Sequence, residues 1–147
     1  MTNDEKLAQI GEIYSRSKRL FPEVPDLTIE ELDRLRATTE VVLVDVRADK
    51  EQAVSMIPGA VTGREFEKKH RHQRGTTVVV YCTVGHRSGL YAKKLLKRGL
   101  QAFNLRGAIL AWTHADRDLV NGVDPTRRVH VLGPKWSLEA DGYEPVW

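Results

Sequence analysis

Cysteine is almost absent from this sequence. The 147 residues contain one, Cys82, so no disulfide can form within the chain and the disulfide-stapled secreted class is excluded. A cysteine-based zinc site needs two to four thiolates and is excluded with it. Long apolar runs are missing too. The longest, Val41–Val44 and Val78–Tyr81, are far shorter than the roughly 20 residues of a membrane-spanning helix. There is little excess charge. Lys+Arg 23 against Asp+Glu 20 gives +3, too mild a balance to argue for nucleic acid. The first residues, Met1–Gly11, hold no apolar segment of the secretory kind, which with a lone thiol points to the cytoplasm. What remains is 41% hydrophobic and 29% charged, a globular composition. A chain of this size buries roughly 68–70% of its unfolded surface, enough for one real core.

The apolar pattern then orders the chain. Thr2 and Glu5 have capping-box spacing, and Leu7, Ile10 and Tyr14 follow on one face, predicting a helix over 3–19. Thr28 and Glu31 repeat the box ahead of a short helix over 29–37. Val41–Val46 and Thr76–Tyr81 are continuous β-branched runs, the pattern of strands covered on both faces. Between them lie a helical turn at 49–54, a short strand near Val61 and a polar helix over 64–73. After Cys82–Ser88 a helix presents Leu90, Tyr91, Leu95 and Leu96 inward and stops at Gly99. A strand at Ala102–Leu105 and a helix at Ala108–Asp116 complete the alternation. Strands alternating with helices predict an α/β fold with a mostly parallel sheet of about five strands and helices on both faces. The last stretch reads as an extended tail whose Trp136, Tyr143 and Trp147 pack back on the rest.

Ligands in such sheets bind beyond the carboxyl ends of the strands. Asp45–Arg47, Cys82–Ser88 and Arg106 all fall at such ends. Cys82 stands between a buried strand and a helix start, where several backbone N–H groups lack helical partners and the dipole is positive. A short loop with Gly85 can curl those groups into an anion-binding nest that favours a thiolate, a persulfide or a bound oxyanion. Arg87 adds fixed charge, and His86 adds charge or a proton if it points inward. Ser88 is read as a cap for the following helix. The basic stretch Lys68–His72, with Arg64 and Arg74, reads as a solvated helix face, because Glu65 and Glu67 dilute it. His70 and His72, two apart on a helix, point in different directions and make no metal site.

Cys82-Thr-Val-Gly-His-Arg-Ser88 resembles the active-site loop of the rhodanese-like sulfurtransferases. Leu43-Val-Asp-Val-Arg47, Ile57-Pro-Gly-Ala60 and Asn104-Leu-Arg-Gly-Ala-Ile-Leu-Ala-Trp112 resemble that family's other signatures, in order and at matching spacings. Met56 stands where the family often has His, and Ala108 where a second Gly is usual. The resemblance implies a rhodanese-like domain over 26–115, between a helical extension at 1–25 and the tail at 116–147. It implies a sulfurtransferase in which Cys82 is the nucleophile and Thr83, Val84, Gly85, His86, Arg87 and Ser88 form the anion cradle. Asp45, Arg47 and Arg106 are supporting residues, and Trp112 is core or pocket wall. Expected partners are a small sulfane donor such as thiosulfate and a cyanide, thiol or protein-cysteine acceptor. No metal, organic cofactor, nucleic acid or membrane is expected.

Two other function classes compete. One is a non-catalytic module of the same fold that binds a partner or senses oxidants, although such modules usually lose the cysteine or disturb the loop. The other is a cysteine phosphatase or arsenate reductase. Those enzymes use Cys-x5-Arg to wrap a tetrahedral oxyanion, whereas Cys82 to Arg87 is Cys-x4-Arg. Tyr81 also stands where tyrosine phosphatases usually place His.

Overall fold

The two β-branched runs form the middle of a sheet. In the computed structural model, which describes residues 1–70 and 73–147, β2 (Val41–Asp45) and β4 (Thr77–Tyr81) pair in parallel. With β1 (Asp26–Leu27), β3 (Val61–Thr62) and β5 (Gln101–Leu105) they make a five-stranded sheet in the order β1-β5-β4-β2-β3, every pair parallel. β4 is central and buried along its whole length. Val78 and Val80 join one core while Val79 and Tyr81 join the other, so both faces are covered and a continuous apolar run is required.

The helices follow their caps. Thr2 and Thr28 close reciprocal capping boxes with Glu5 and Glu31 at the starts of α1 (Asn3–Lys18) and α2 (Ile29–Thr38). α3 (Asp49–Val54) is the expected single turn. α4 (Gly63–Lys69) ends earlier than the polar pattern suggested. Of the basic stretch there, Arg71 and His72 lie outside the described residues. α5 (His86–Lys97) begins inside the motif and stops at Gly99, whose φ is +83°. Leu95 is buried, and Tyr91 and Leu96 are partly buried against the same core, but Leu90 faces outward; Ser88, Gly89 and Ala92 complete the buried face. α6 (Ala108–His114) follows β5.

The tail has more structure than an extended segment. β6 (Leu119–Asn121) and β7 (Asp124–Thr126) form a hairpin, and β8 (Arg128–His130) pairs in parallel with β9 (Glu144–Val146). Tyr143 packs back into the core, Trp136 is half-buried, and Trp147 is exposed, contrary to the expectation for it. α1 and the tail meet over the motif: Ile10, Val84, Leu110, Val131 and Leu138 form one buried cluster. No described helix is long and apolar enough to cross a membrane.

Candidate active site

Cys82 leaves the carboxyl end of β4 as a buried side chain, 2% exposed. Two hydrogen bonds turn the next residues into a tight loop: the Cys82 carbonyl accepts from the Ile109 N–H at 3.3 Å, and the Thr83 carbonyl from the Leu110 N–H at 3.2 Å. The start of α6 therefore takes the loop's carbonyls. The Gly85 N–H donates to Cys82 Sγ at 3.2 Å, and Gly85 holds φ +128° to do so. A side chain there would also strike the Tyr14 ring, because a Cβ would lie 2.6 Å from it. α5 begins at His86, so the first-turn amides beside the sulfur have no partners inside the helix.

Arg87 is the cation of the site. Its guanidinium donates to both oxygens of Glu51, at 2.8 and 2.9 Å, and to Thr83 Oγ1 at 2.9 Å. The Glu51 bond and the neighbouring sulfur push its pKa upward, against burial. Glu51, on α3, is itself buried. Burial opposes its charge, yet the bonds from Arg87 and the Ala48 N–H outweigh it and hold the carboxyl at about 2. The tail brings His130 alongside, with Nδ1 3.8 Å from Glu51 Oε1. Burial pushes the His130 pKa down, favouring the neutral ring.

The remaining predicted residues divide sharply. Ser88 does not cap α5; it is the third helical residue, 3.3 Å from Cys82 Sγ and 2.7 Å from Asn104 Oδ1. His86 is exposed and turns to Ser17 at 3.0 Å, away from the sulfur. Asp45 and Arg47 form a fully buried ion pair at 2.8 Å. Arg47 also donates to the Ser55 carbonyl, and Tyr81 bridges Asp45 to the Ile57 N–H. These bonds lock β2, β4 and the Ile57–Ala60 turn together; none reaches Cys82. Arg106 stacks over the Tyr14 ring at 5.7 Å and lines a separate cavity of about 350 Å³ with Ile10, Gly107 and His114. Trp112 is buried and donates to the Asp118 carbonyl, a wall rather than a contact.

Sequence reading missed Glu51, His130, Asn104 and Tyr14. Asn104 did carry a signal, a polar residue in an apolar strand, and buried polar groups are there to make hydrogen bonds. Glu51 and His130 gave none, because each meets Arg87 or its partner only through the tertiary fold.

The geometry agrees with what the chain is similar to. The family model of the Rhodanese-like domain matches residues 28–115. A sulfurtransferase of Allochromatium vinosum is 37% identical over 83 residues, 54% of this chain and 78% of that protein. Among solved structures, the thiosulfate sulfurtransferase of Pseudomonas aeruginosa aligns at TM-score 0.59 and 26% identity, over 82% of this chain and 24% of that one. A rhodanese-related protein of Thermoplasma volcanium shares the fold at TM-score 0.57 and 21% identity, over 66% of this chain and 98% of that one. With a cysteine loop at the carboxyl end of the central strand and a family match over more than half its length, this chain belongs to the rhodanese-like domain family.

Proposed function

We propose that this protein is a sulfurtransferase that carries a sulfane sulfur on Cys82. The observation that supports it best is the loop itself: Cys82 Sγ faces the Gly85 N–H at 3.2 Å, beside a fixed Arg87, in a Cys-x4-Arg turn too short to wrap a phosphate. The Cys82 thiolate attacks the outer sulfur of a donor such as thiosulfate. The donor's S–S bond breaks with its electron pair leaving on sulfite, and a new S–S bond makes Cys82 a persulfide. Arg87 and the loop amides from Thr83 to Ser88 stabilise the anionic terminal sulfur. A second nucleophile, cyanide or a thiolate, then attacks that sulfur and returns the Cys82 thiolate. Such covalent catalysis in two half-reactions gives ping-pong kinetics. The sequence has a single cysteine, so an acceptor thiol comes from another molecule. Asp45 and Arg47 serve as scaffold for the sheet edge. Residues 26–115 carry the transfer machinery, and the flanking segments shape access to it.

Mass spectrometry after thiosulfate treatment tests this reading. Cys82 is expected to gain one sulfur atom, and cyanide to remove it as thiocyanate. Full sulfur transfer by Cys82→Ser would sink the reading. A chain that never accepts sulfur from thiosulfate or from a small persulfide would instead be a binding module.

A further inference from the structure

A row of buried hydrogen bonds runs from the reacting sulfur to the N-terminal helix. Ser88 Oγ lies between Cys82 Sγ, at 3.3 Å, and Asn104 Oδ1, at 2.7 Å. A hydroxyl has one proton and can give it to only one of them. The other end of Asn104 decides which. Its amide nitrogen donates to the Gly85 carbonyl at 2.9 Å and to the Tyr14 phenol oxygen at 3.3 Å, so its oxygen is turned to Ser88 as an acceptor. Tyr14 in turn donates to Asp26 Oδ2 at 3.1 Å. Every donor points the same way, from Ser88 through Asn104 and Tyr14 to the carboxylate. Aligned hydrogen bonds in a low-dielectric interior polarise and strengthen one another. Ser88 therefore shows Cys82 a lone pair, which suits a thiol that donates its S–H. A thiolate needs the proton of Ser88, and taking it leaves a buried amide oxygen without a donor.

We propose that Tyr14 is a positioning residue for Cys82: beside the Gly85 carbonyl, which orients the Asn104 amide, it polarises that amide, strengthens the hold of Asn104 on the Ser88 proton and so biases the balance between thiol and thiolate. Tyr14 lies on α1, in the extension before the matched family region, which begins at residue 28, so the extension contributes this control to the domain. The proposal rests on the reading of Cys82 as the nucleophile.

Other charged groups face this region. Arg87 acts on the sulfur directly, with Glu51 paired to it and His130 beside Glu51. His86 turns away to Ser17. On the Tyr14 side, Lys18 lies 3.5 Å from Asp26 and Arg106 stacks on the phenol ring. Tyr14→Phe alters none of these charges, and it keeps the ring against Gly85 while removing the hydroxyl.

The protein's single cysteine gives one ¹³Cβ resonance in cysteine-labelled protein, and its position across pH reports the thiol–thiolate balance by NMR. Tyr14→Phe is expected to lower the midpoint of that titration by a small shift, on the order of a few tenths of a pH unit, because the Gly85 carbonyl still orients Asn104 and only the polarising contribution of Tyr14 is lost. In a Ser88→Ala background, Tyr14→Phe is expected to leave the midpoint where Ser88→Ala alone puts it. An unmoved midpoint in Tyr14→Phe overturns the proposal, as does an equal shift when Ser88 is absent. A merely structural role for Tyr14 would change the urea unfolding midpoint and not the titration. The titration reads the sulfur without any sulfur donor, so failure of the transfer reading and failure of this one are separate results.

Discussion

Gly85 is where conformation and contact coincide. Its φ of +128° disfavours any side chain, and the ring of Tyr14, itself buried, fills the space a Cβ would need. Neither neighbour can give way without moving α1 or opening the loop. Gly85→Ala is therefore expected to lose about 2–4 kcal/mol of stability, the sum of backbone strain and overpacking, read by urea denaturation. It should also slow sulfur loading of Cys82, because the Gly85 N–H that faces Sγ moves with the strained loop. An alanine variant with wild-type stability would show that the loop relaxes freely. The glycine's place in a nest was legible from its spacing to Cys82. The ring against it was not, because nothing local connects residues 14 and 85.

At the scale of elements, the seam between α5 and the segment after α1 has the same character. Gly89, on the buried face of α5, would place a Cβ 2.1 Å from the Phe21 ring. An interior helix glycine normally costs about 1 kcal/mol, so its presence is a local signal of close approach. Gly89→Ala is expected to destabilise by about 1–3 kcal/mol, and the double variant with Phe21→Leu to recover part of that loss. Additive losses in the urea curves would mean that the two positions do not compete for space. Ser88 teaches the complementary lesson. Its spacing suggested a helix cap, but Gly85 already occupies the N-cap, so α5 starts earlier and Ser88 turns inward to Asn104.

At the scale of the molecule, Glu51 ties α3 to the cysteine loop through Arg87, and the tail's His130 sits against it. Its carboxyl is held at about 2, below its ordinary 4.5. A depressed carboxyl contributes its full stability above the unfolded value, so that share is present above about pH 4.5 and lost as pH falls toward 2. His130, lowered by burial from 6.5, adds to the loss as pH falls below that value, because only the unfolded chain takes the proton readily. Glu51→Gln is expected to be less stable at neutral pH and to show a flatter decline between pH 4.5 and 2, measured by urea denaturation at each pH. Parallel curves for the two proteins would show that Glu51 does not govern the acid limb.

The sequence by itself determined the α/β alternation, the buried central strand and the nomination of Cys82 with its loop. These are local: β-branched runs, capping boxes and a glycine-containing turn act over a few residues, and each forms by the same physics wherever it is placed. Only the tertiary structure decided what Arg87 pairs with and which other polar groups reach the site. Asp45 and Arg47 were set near the site by their strand end, yet they spend their charges on each other inside the sheet. Glu51, Asn104 and Tyr14 come to Arg87, Ser88 and Gly85 from three other parts of the chain, and His130 comes to Glu51 from a fourth, because burying a polar group drives it toward whatever partner the fold brings within reach.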